Sequence, residues 1–317
     1  MSIKNSFRTF CHSNKFLSRQ YDKLTWYKSR MLCVLESDEH FAKRTYKSFS
    51  SKELNLDNPK TFDEKIWYLK LHNRDPLMTQ CTDKYAVRKY VEKCGLKNIL
   101  NELIGVYDDA RDIDFNDFKE PTFIKCNHCS GENIIYYPKQ KLDVKDLQKR
   151  LNFLLRQNYY WKSREWNYKN IKPKIIAEKV LRDSHGMLPL DYKFLCFDGE
   201  PKLLFMDINV CLENGRHSSI NYRNIYDMDF NPIDMIETRE HKNINIIKKP
   251  LNFEKMVQIA KTLSKPFRHC RVDLYNVDGK IYFGEITFHH GGGYNEIKPE
   301  SWDYKIGSWI NTNDLHC

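Results

Sequence analysis

CRVDLYNVDGKIYFGEITFHHGGG, residues 270–293, reads as two strands joined by the turn sequence NVDG at 276–279. Val272, Leu274 and Val277 carry the apolar pattern before the turn, and Ile281, Phe283 and Ile286 carry it after. Such a hairpin sits half-buried on a core. Yet it holds Arg271, Asp273 and Glu285 within its strands, where charge is usually avoided. Paired strands can bring two carboxylates to one point. A hard cation such as Mg²⁺ takes that oxygen set, completed by phosphate oxygens. The glycines at 291–293 permit a close backbone approach to a ligand. The alternative is a plain hairpin stapled by a buried Arg271–Asp273 or Arg271–Glu285 ion pair.

Around this hairpin lie 317 residues, 41% hydrophobic and 30% charged, enough for one or two compact domains with a real core. A net charge of +10 favours anionic partners such as nucleotides, acidic polysaccharide or a membrane surface. The lysines are dispersed and no recognition module is present, so nucleic acid is not expected as a partner. No apolar leader is expected at 1–16, and no stretch nears the roughly 18 apolar residues of a membrane span. The cysteines are evenly spread, several in strand-like segments (Cys126, Cys196, Cys270). This pattern reads as reduced cytosolic thiols acting as small hydrophobes.

Four regions are expected. Residues 1–54 form a basic helical extension. There Phe16, Leu17, Leu24, Trp26, Tyr27, Met31, Leu32 and Val34 suit amphipathic helices, packed on the body or resting on a membrane surface. Residues 55–120 read as helical or α+β: TFDE at 61–64 is a capping box, and TDK at 82–84 opens a helix that Gly95 ends. A small subdomain spans 121–181, with strands at FIKC and IIYY around a polar loop and a helix over 142–158. A larger subdomain spans 182–317. It has a hairpin around Asp198-Gly199, a helix over 251–264, the charged hairpin and a polar tail; its segment 209–248 resists assignment. Hairpins dominate the second half, so the fold class is α+β with antiparallel sheets.

Lys125 lies inside an apolar strand, where an ammonium must snorkel out or meet an anion. The loop after it, with Asn127, Ser130 and Gly131, offers backbone N–H groups that can close over phosphates. Cys126, His128 and Cys129 invite a zinc reading, but a second ligand pair at matching spacing is missing. Glu178 in IIAEKVL suggests a polar ligand edge, or a salt bridge to Lys193 or Lys174. Lys193 again puts a cation in a strand. HHGGG at 289–293 is similar to a lipase oxyanion loop, but no G-x-S-x-G elbow accompanies it. Asp227-Met228-Asp229 has the D-x-D form used by nucleotide-sugar transferases, although Asn231-Pro232 beside it suits a plain turn.

Lys125, the loop at 127–133, Glu178, Lys193, Asp273 and Glu285 follow one another in an order that resembles the ATP-grasp superfamily. In that fold two α+β subdomains with antiparallel sheets clamp ATP. The segment RVD…EIT is similar to the metal segment of D-alanine–D-alanine ligases. Over 54–310 the chain resembles the TupA-like ATP-grasp family of cell-surface polysaccharide gene clusters, through NPKTFDEKI, TDKYAVRKYV, FIKCNHCSG, NIKPKIIAEKVL and DYKFLCFDGEPK. The resemblance implies that Lys125 contacts the α/β-phosphates and that the loop with Asn127, Ser130 and Gly131 folds over the β/γ-phosphates. It implies a hinge at Glu178, Lys179, Val180 and Leu181 holding adenine, and Lys193 adding charge near the phosphates. Asp273, Glu285 and Thr287 would bind two Mg²⁺, and Arg271 would stabilise the transferring phosphoryl group. The loop 289–293 would face the acyl phosphate or the acceptor. Thr287 stands where the family usually has asparagine.

The function implied is an ATP-dependent carboxylate–amine ligase in capsule, surface-polysaccharide or teichuronopeptide-type biosynthesis. ATP would phosphorylate a carboxylate on an acidic sugar or amino acid, and an amine would attack the acyl phosphate. It would be cytoplasmic, with peripheral contact at the inner membrane face left open. The alternative is a glycosyltransferase of the same pathway, with Asp227 and Asp229 as its metal site.

Overall fold

The computed structural model describes residues 15–130, 133–138, 143–242, 247–313 and 315. Two helices lead, α1 (Lys15–Leu35) and α2 (Asp38–Ser50). α3 (Phe62–His72) starts at the expected capping box: Thr61 Oγ1 accepts from the Glu64 N–H, and the Glu64 carboxylate accepts from the Thr61 N–H. α4 (Pro76–Thr82) and α5 (Val87–Lys93) are short and parted by a turn at 83–86. α4 escapes a periodicity reading because it spans only two turns, though Asp75 at its N-cap and Pro76 at its first position mark its start.

The first sheet contains β1 (Leu103–Tyr107), β2 (Thr122–Cys126), β3 (Ile134–Tyr136) and β4 (Ile175–Lys179), in the antiparallel order β1-β4-β2-β3. β1 comes from the region before residue 121, so this sheet gathers chain from both sides of that expected boundary. Strand alternation gives the sheet two unlike faces. Ile124, Cys126, Ile175 and Ala177 pack against Leu147, Leu151 and Leu154 of α6 (Val144–Leu155). Lys125 and Glu178 lie on the other face. α7 (Tyr160–Ser163) follows and packs against α1.

The second sheet contains β5 (Asp191–Phe197), β6 (Glu200–Ile208), β7 (Tyr222–Tyr226) and the charged hairpin, in the order β10-β9-β5-β6-β7. Between β7 and the hairpin come β8 (Ile236–Glu237) and α8 (Phe253–Ser264); the hairpin strands are β9 (His269–Val277) and β10 (Lys280–Thr287). Phe194, Leu204, Met206, Val272 and Leu274 bury against Phe253, Met256, Ala260 and Leu263 of α8. On the opposite face, Leu195, Phe197, Leu203, Phe205 and Ile225 pack with Phe62, Ile66 and Leu69 of α3. Ile306 of a last helix joins them. After β11 (Ile297–Lys298), the expected polar tail forms α9 (Glu300–Ser308), whose apolar side completes this core. The rest of that face is charged. Within 209–248, residues 213–215 reach the first sheet: the Ile135 N–H donates to the Asn214 carbonyl (3.3 Å), and the Tyr137 hydroxyl donates to Glu213 (2.7 Å).

α1 departs from the expected single apolar face. Trp26, Leu32 and Cys33 are half-buried, while Leu24, Tyr27, Met31 and Val34 are exposed. Among the described residues no helix is long and apolar enough to cross a membrane.

Candidate active site

Strand register assembles the charged face. β9–β10 pairing sets Asp273 opposite Glu285 and Arg271 opposite Thr287, and β5 sets Lys193 opposite Asp273. A bulge makes this possible. Ile281 and Phe283 face α8, and strict alternation would send Glu285 there too. The ladder shifts between Phe283 and Glu285, so Glu285 turns to the charged face and Ile286 takes the core side opposite Val272. Gly284 occupies the bulge, where a Cβ would come within 3.0 Å of the Asp273 carbonyl oxygen.

Arg271 is the hub. Its guanidinium donates to both Asp273 oxygens (2.7 and 2.6 Å), to Glu285 Oε1 (3.1 Å) and to Thr287 Oγ1 (3.1 Å). Lys193 lies 3.0 Å from Asp273 and 3.2 Å from Asp191. Thus the hairpin carries both expected ion pairs as well as the converging carboxylates. Burial pushes the Glu285 carboxyl up, but Lys84 and Arg271 outweigh it and hold the group at about 2. Behind the hub, Arg223 clamps Asp207 (2.6 and 2.7 Å) and contacts Glu237. His290 bridges Glu237 (3.3 Å) and Arg271 (3.0 Å).

Lys84 completes the site and carries no strand signal. TDK at 82–84 works as three adjacent grips. Thr82 Oγ1 accepts from Asn167 (2.7 Å), and Asp83 accepts from Asn127 (2.9 Å). Lys84 Nζ donates to the Cys129 carbonyl (2.9 Å) and lies 3.7 Å from Glu285 Oε2. A single ammonium thereby links the loop after β2 to the hairpin. Lys84→Met is expected to lower kcat/KM for ATP by roughly 100-fold while leaving the melting temperature nearly unchanged. Steady-state kinetics with a thermal melt check this, and a change under threefold would exclude Lys84 from the site.

The first sheet brings Lys125 and Glu178 together at 2.7 Å, with Arg88 3.5 Å from Glu178. Glu178 therefore pairs with neither Lys193 nor Lys174, and Lys174 instead meets Asp108 (2.7 Å). Lys174 lies four residues before Glu178, roughly 13 Å along the strand, whereas Lys125 is on the neighbouring strand and the same face. At the hinge, the Lys179 N–H donates to the Glu102 carbonyl, the Lys179 carbonyl accepts from Asn101, and the Val180 N–H donates to the Pro121 carbonyl. The Leu181 N–H has no such partner among the described residues. Asn127 is a structural anchor rather than a loose loop residue. It donates to Asp83 and to the Lys172 carbonyl (3.0 Å), and accepts from the Lys174 N–H (2.7 Å). Ser130 is exposed and lies near the Tyr159 hydroxyl. Gly131 and its neighbour Glu132 lie outside the described residues.

The loop 289–293 is pinned on α3. The Trp67 indole N–H donates to the Gly293 carbonyl (3.0 Å), and Lys70 Nζ donates to the Gly292 carbonyl (2.9 Å). Gly293 has φ +79°, and a Cβ there would come 2.8 Å from the Trp67 indole nitrogen, so no other residue fits. Burial pushes the Lys70 ammonium down to about 8, against the pull of Glu165 and Asp63.

The zinc reading fails on the imidazole: one His128 nitrogen meets Asn127 (3.2 Å) and the other the Leu154 carbonyl (3.2 Å). The D-x-D pair forms a turn, with Asp227 accepting from the Asp229 and Asn231 N–H groups (2.9 and 2.8 Å). Among the described residues no three His, Cys, Asp or Glu side chains converge as a metal cage. Two carboxylates and a hydroxyl are instead the minority share a protein gives to Mg²⁺ held mainly by phosphate and water. The Glu285 side chain is 38% exposed, with Lys84 3.7 Å from Oε2 and Arg271 3.1 Å from Oε1, so the donor set fits such an ion.

Two antiparallel sheets, the first carrying Lys125 and the second carrying Lys193 with the carboxylate-bearing hairpin along its edge, linked by Lys84 between the loop after β2 and Glu285, define an ATP-grasp architecture. The family model described as TupA-like ATPgrasp matches residues 64–311, and the chain belongs to that family. No curated protein matches it. Among solved structures it is similar to a D-alanine–D-alanine ligase from Bacillus anthracis complexed with ATP, at 16% identity and a TM-score of 0.39, covering 66% of this chain and 55% of that one. An L-amino acid ligase from Bacillus licheniformis gives 13% identity and a TM-score of 0.44, covering 82% and 57%. A phosphoribosylamine–glycine ligase from Thermotoga maritima gives 12% and 0.40, covering 66% and 48%. The chain spans about half the length of these structures.

Proposed function

We propose that the protein is an ATP-dependent carboxylate–amine ligase. The observation that carries this reading is the row Lys193–Asp273–Glu285 with Arg271 across it, met from the other side by Lys84 and the loop after β2. In this reading Lys125, Lys193 and the loop around Ser130 hold the phosphates. Leu181 offers its N–H to adenine, beside Glu178, Lys179 and Val180. Asp273, Glu285 and Thr287 hold two Mg²⁺, which neutralise phosphate charge. Phosphoryl transfer needs positioning and charge neutralisation more than covalent help, and Arg271 and Lys84 supply both from fixed positions. A carboxylate oxygen attacks the γ-phosphorus and the bond to ADP breaks. The amine nitrogen then attacks the acyl carbon, phosphate leaves, and the amine gives up a proton.

The substrate is a carboxylate on an acidic sugar or amino acid of a cell-surface polymer, a class that suits the net positive charge. The setting is the cytoplasm. Four units organise the work: a helical extension to residue 54, a helical region to 120 that supplies Lys84, a small subdomain to 181, and a subdomain to 317 that holds the metals. The test is trapping by hydroxylamine: with ATP, Mg²⁺ and a panel of uronic and amino acids, a hydroxamate forms together with ADP. Nucleotide-sugar turnover with no ADP release and no hydroxamate from any carboxylate would sink the ligase.

A further inference from the structure

α1 has two apolar sides. The side with Trp26, Leu32 and Cys33 faces the body, where Arg164 donates to the Leu32 carbonyl (3.1 Å). The other side points into solvent: Leu24 is 69% exposed, Tyr27 66%, Met31 55%, Val34 82% and Leu35 73%. At 3.6 residues per turn these five fall within an arc of about 100°. Lys28 borders the arc on one edge, and Lys23 and Arg30 border it on the other. Arg30 stays on its border by stacking over Trp161, 5.3 Å from the ring. The acidic Asp22 is half-buried on the inner side. An exposed apolar stripe of this kind marks an interaction surface.

Two occupants compete for it. The spacing 24, 27, 31, 34 is a heptad seam, so a second copy of α1 could pack there. Such a pairing sets Lys23 and Arg30 of one helix against Lys28 of the other, with no acidic group on either edge to relieve the repulsion. An anionic lipid surface meets both features: acyl chains take the stripe and headgroups take the basic edges. We propose that α1 docks the protein on an anionic membrane surface, lying in its plane. This inference is independent of the chemistry assigned to the cleft.

The test is co-sedimentation of the full chain with vesicles of phosphatidylcholine alone or mixed with phosphatidylglycerol. The anionic vesicles are expected to pellet at least about tenfold more protein, because each basic residue near the surface adds electrostatic attraction. Two variants are expected to lose that binding by about tenfold or more with unchanged melting temperatures: Leu24→Ser with Met31→Ser and Val34→Ser, and Lys23→Glu with Lys28→Glu. Protein left in the supernatant with both vesicle types, or equal pelleting with both, would overturn the proposal. So would a dimer at sedimentation equilibrium that the serine variant turns into monomer.

Discussion

Replacing Asp273 by asparagine is expected to cut ATP turnover by about 10³-fold or more, with the fold retained. Asparagine keeps the shape of the side chain and removes its charge. Asp273 accepts two bonds from Arg271 and one from Lys193, and stands opposite Glu285 in the hairpin. Losing its charge leaves two buried cations facing one another across the site and removes one of the two carboxylates proposed to hold Mg²⁺. Preorganised charge of this kind usually contributes more to phosphoryl transfer than any other single effect, and a 10³-fold loss is ~4 kcal/mol of transition-state stabilisation. ADP release in single-turnover experiments measures the effect, with circular dichroism to confirm folding. Turnover within tenfold of the unmodified protein would remove Asp273 from the mechanism.

Arg223→Met is expected to act on stability rather than chemistry, by about 3–5 kcal/mol. Arg223 is the guanidinium between buried Asp207 and buried Glu237. Burial pushes both carboxyls up, but Arg223, helped by His290 at Glu237 and by Lys193 and Arg239 at Asp207, outweighs it, holding Glu237 at about 2 and Asp207 below the usual carboxylate range. Both folded values lie below the unfolded ones. Their stabilisation is therefore present above about pH 4.5 and lost as pH falls toward 2. Without the guanidinium, burial raises Glu237 above all, since Asp207 keeps Lys193 and Arg239, and the cost of holding Glu237 ionised grows as pH climbs past 4. The deficit of the variant should thus be large at pH 7 and smaller near pH 4.5. Urea unfolding at the two values measures this, and an equal deficit at both would exclude the charge argument.

The hairpin was legible because β-pairing is local and its charges break an apolar pattern. Even its bulge was written in the spacing: Phe283 and Ile286 share a face although three positions part them. The capping box at Thr61, α6 and α8 were legible for the same local reasons. Lys84 was not, because it sits in the turn between two short helices, where the sequence reads a helix start, and acquires meaning only when residues far along the chain arrive beside it. Nor was the grip of Asn127 on Asp83, Lys172 and Lys174 legible, because each of those partners lies more than forty residues away in the chain. α9 was hidden by polar composition, although Trp302, Ile306, Trp309 and Ile310 follow helical spacing. The segment 209–248 gave no pattern because β7 is its one strand longer than two residues among those described.

The pinning of the glycine loop on α3 also sets an order of events during synthesis. Trp67 reaches Gly293, Phe62 reaches Asp303 and Asp63 reaches Asn295, each across more than two hundred residues of chain. A ribosome releases α3 long before it makes those partners. Phe62, Ile66 and Leu69 meet Leu195, Phe197, Leu203, Phe205 and Ile225 first and are closed over by Ile306 and Ile310 only later, a long-range closure that slows folding and invites aggregation. Nascent chains halted before residue 289 should therefore bind holding chaperones and resist folding, while extension past residue 310 should let the site and the core close in one step.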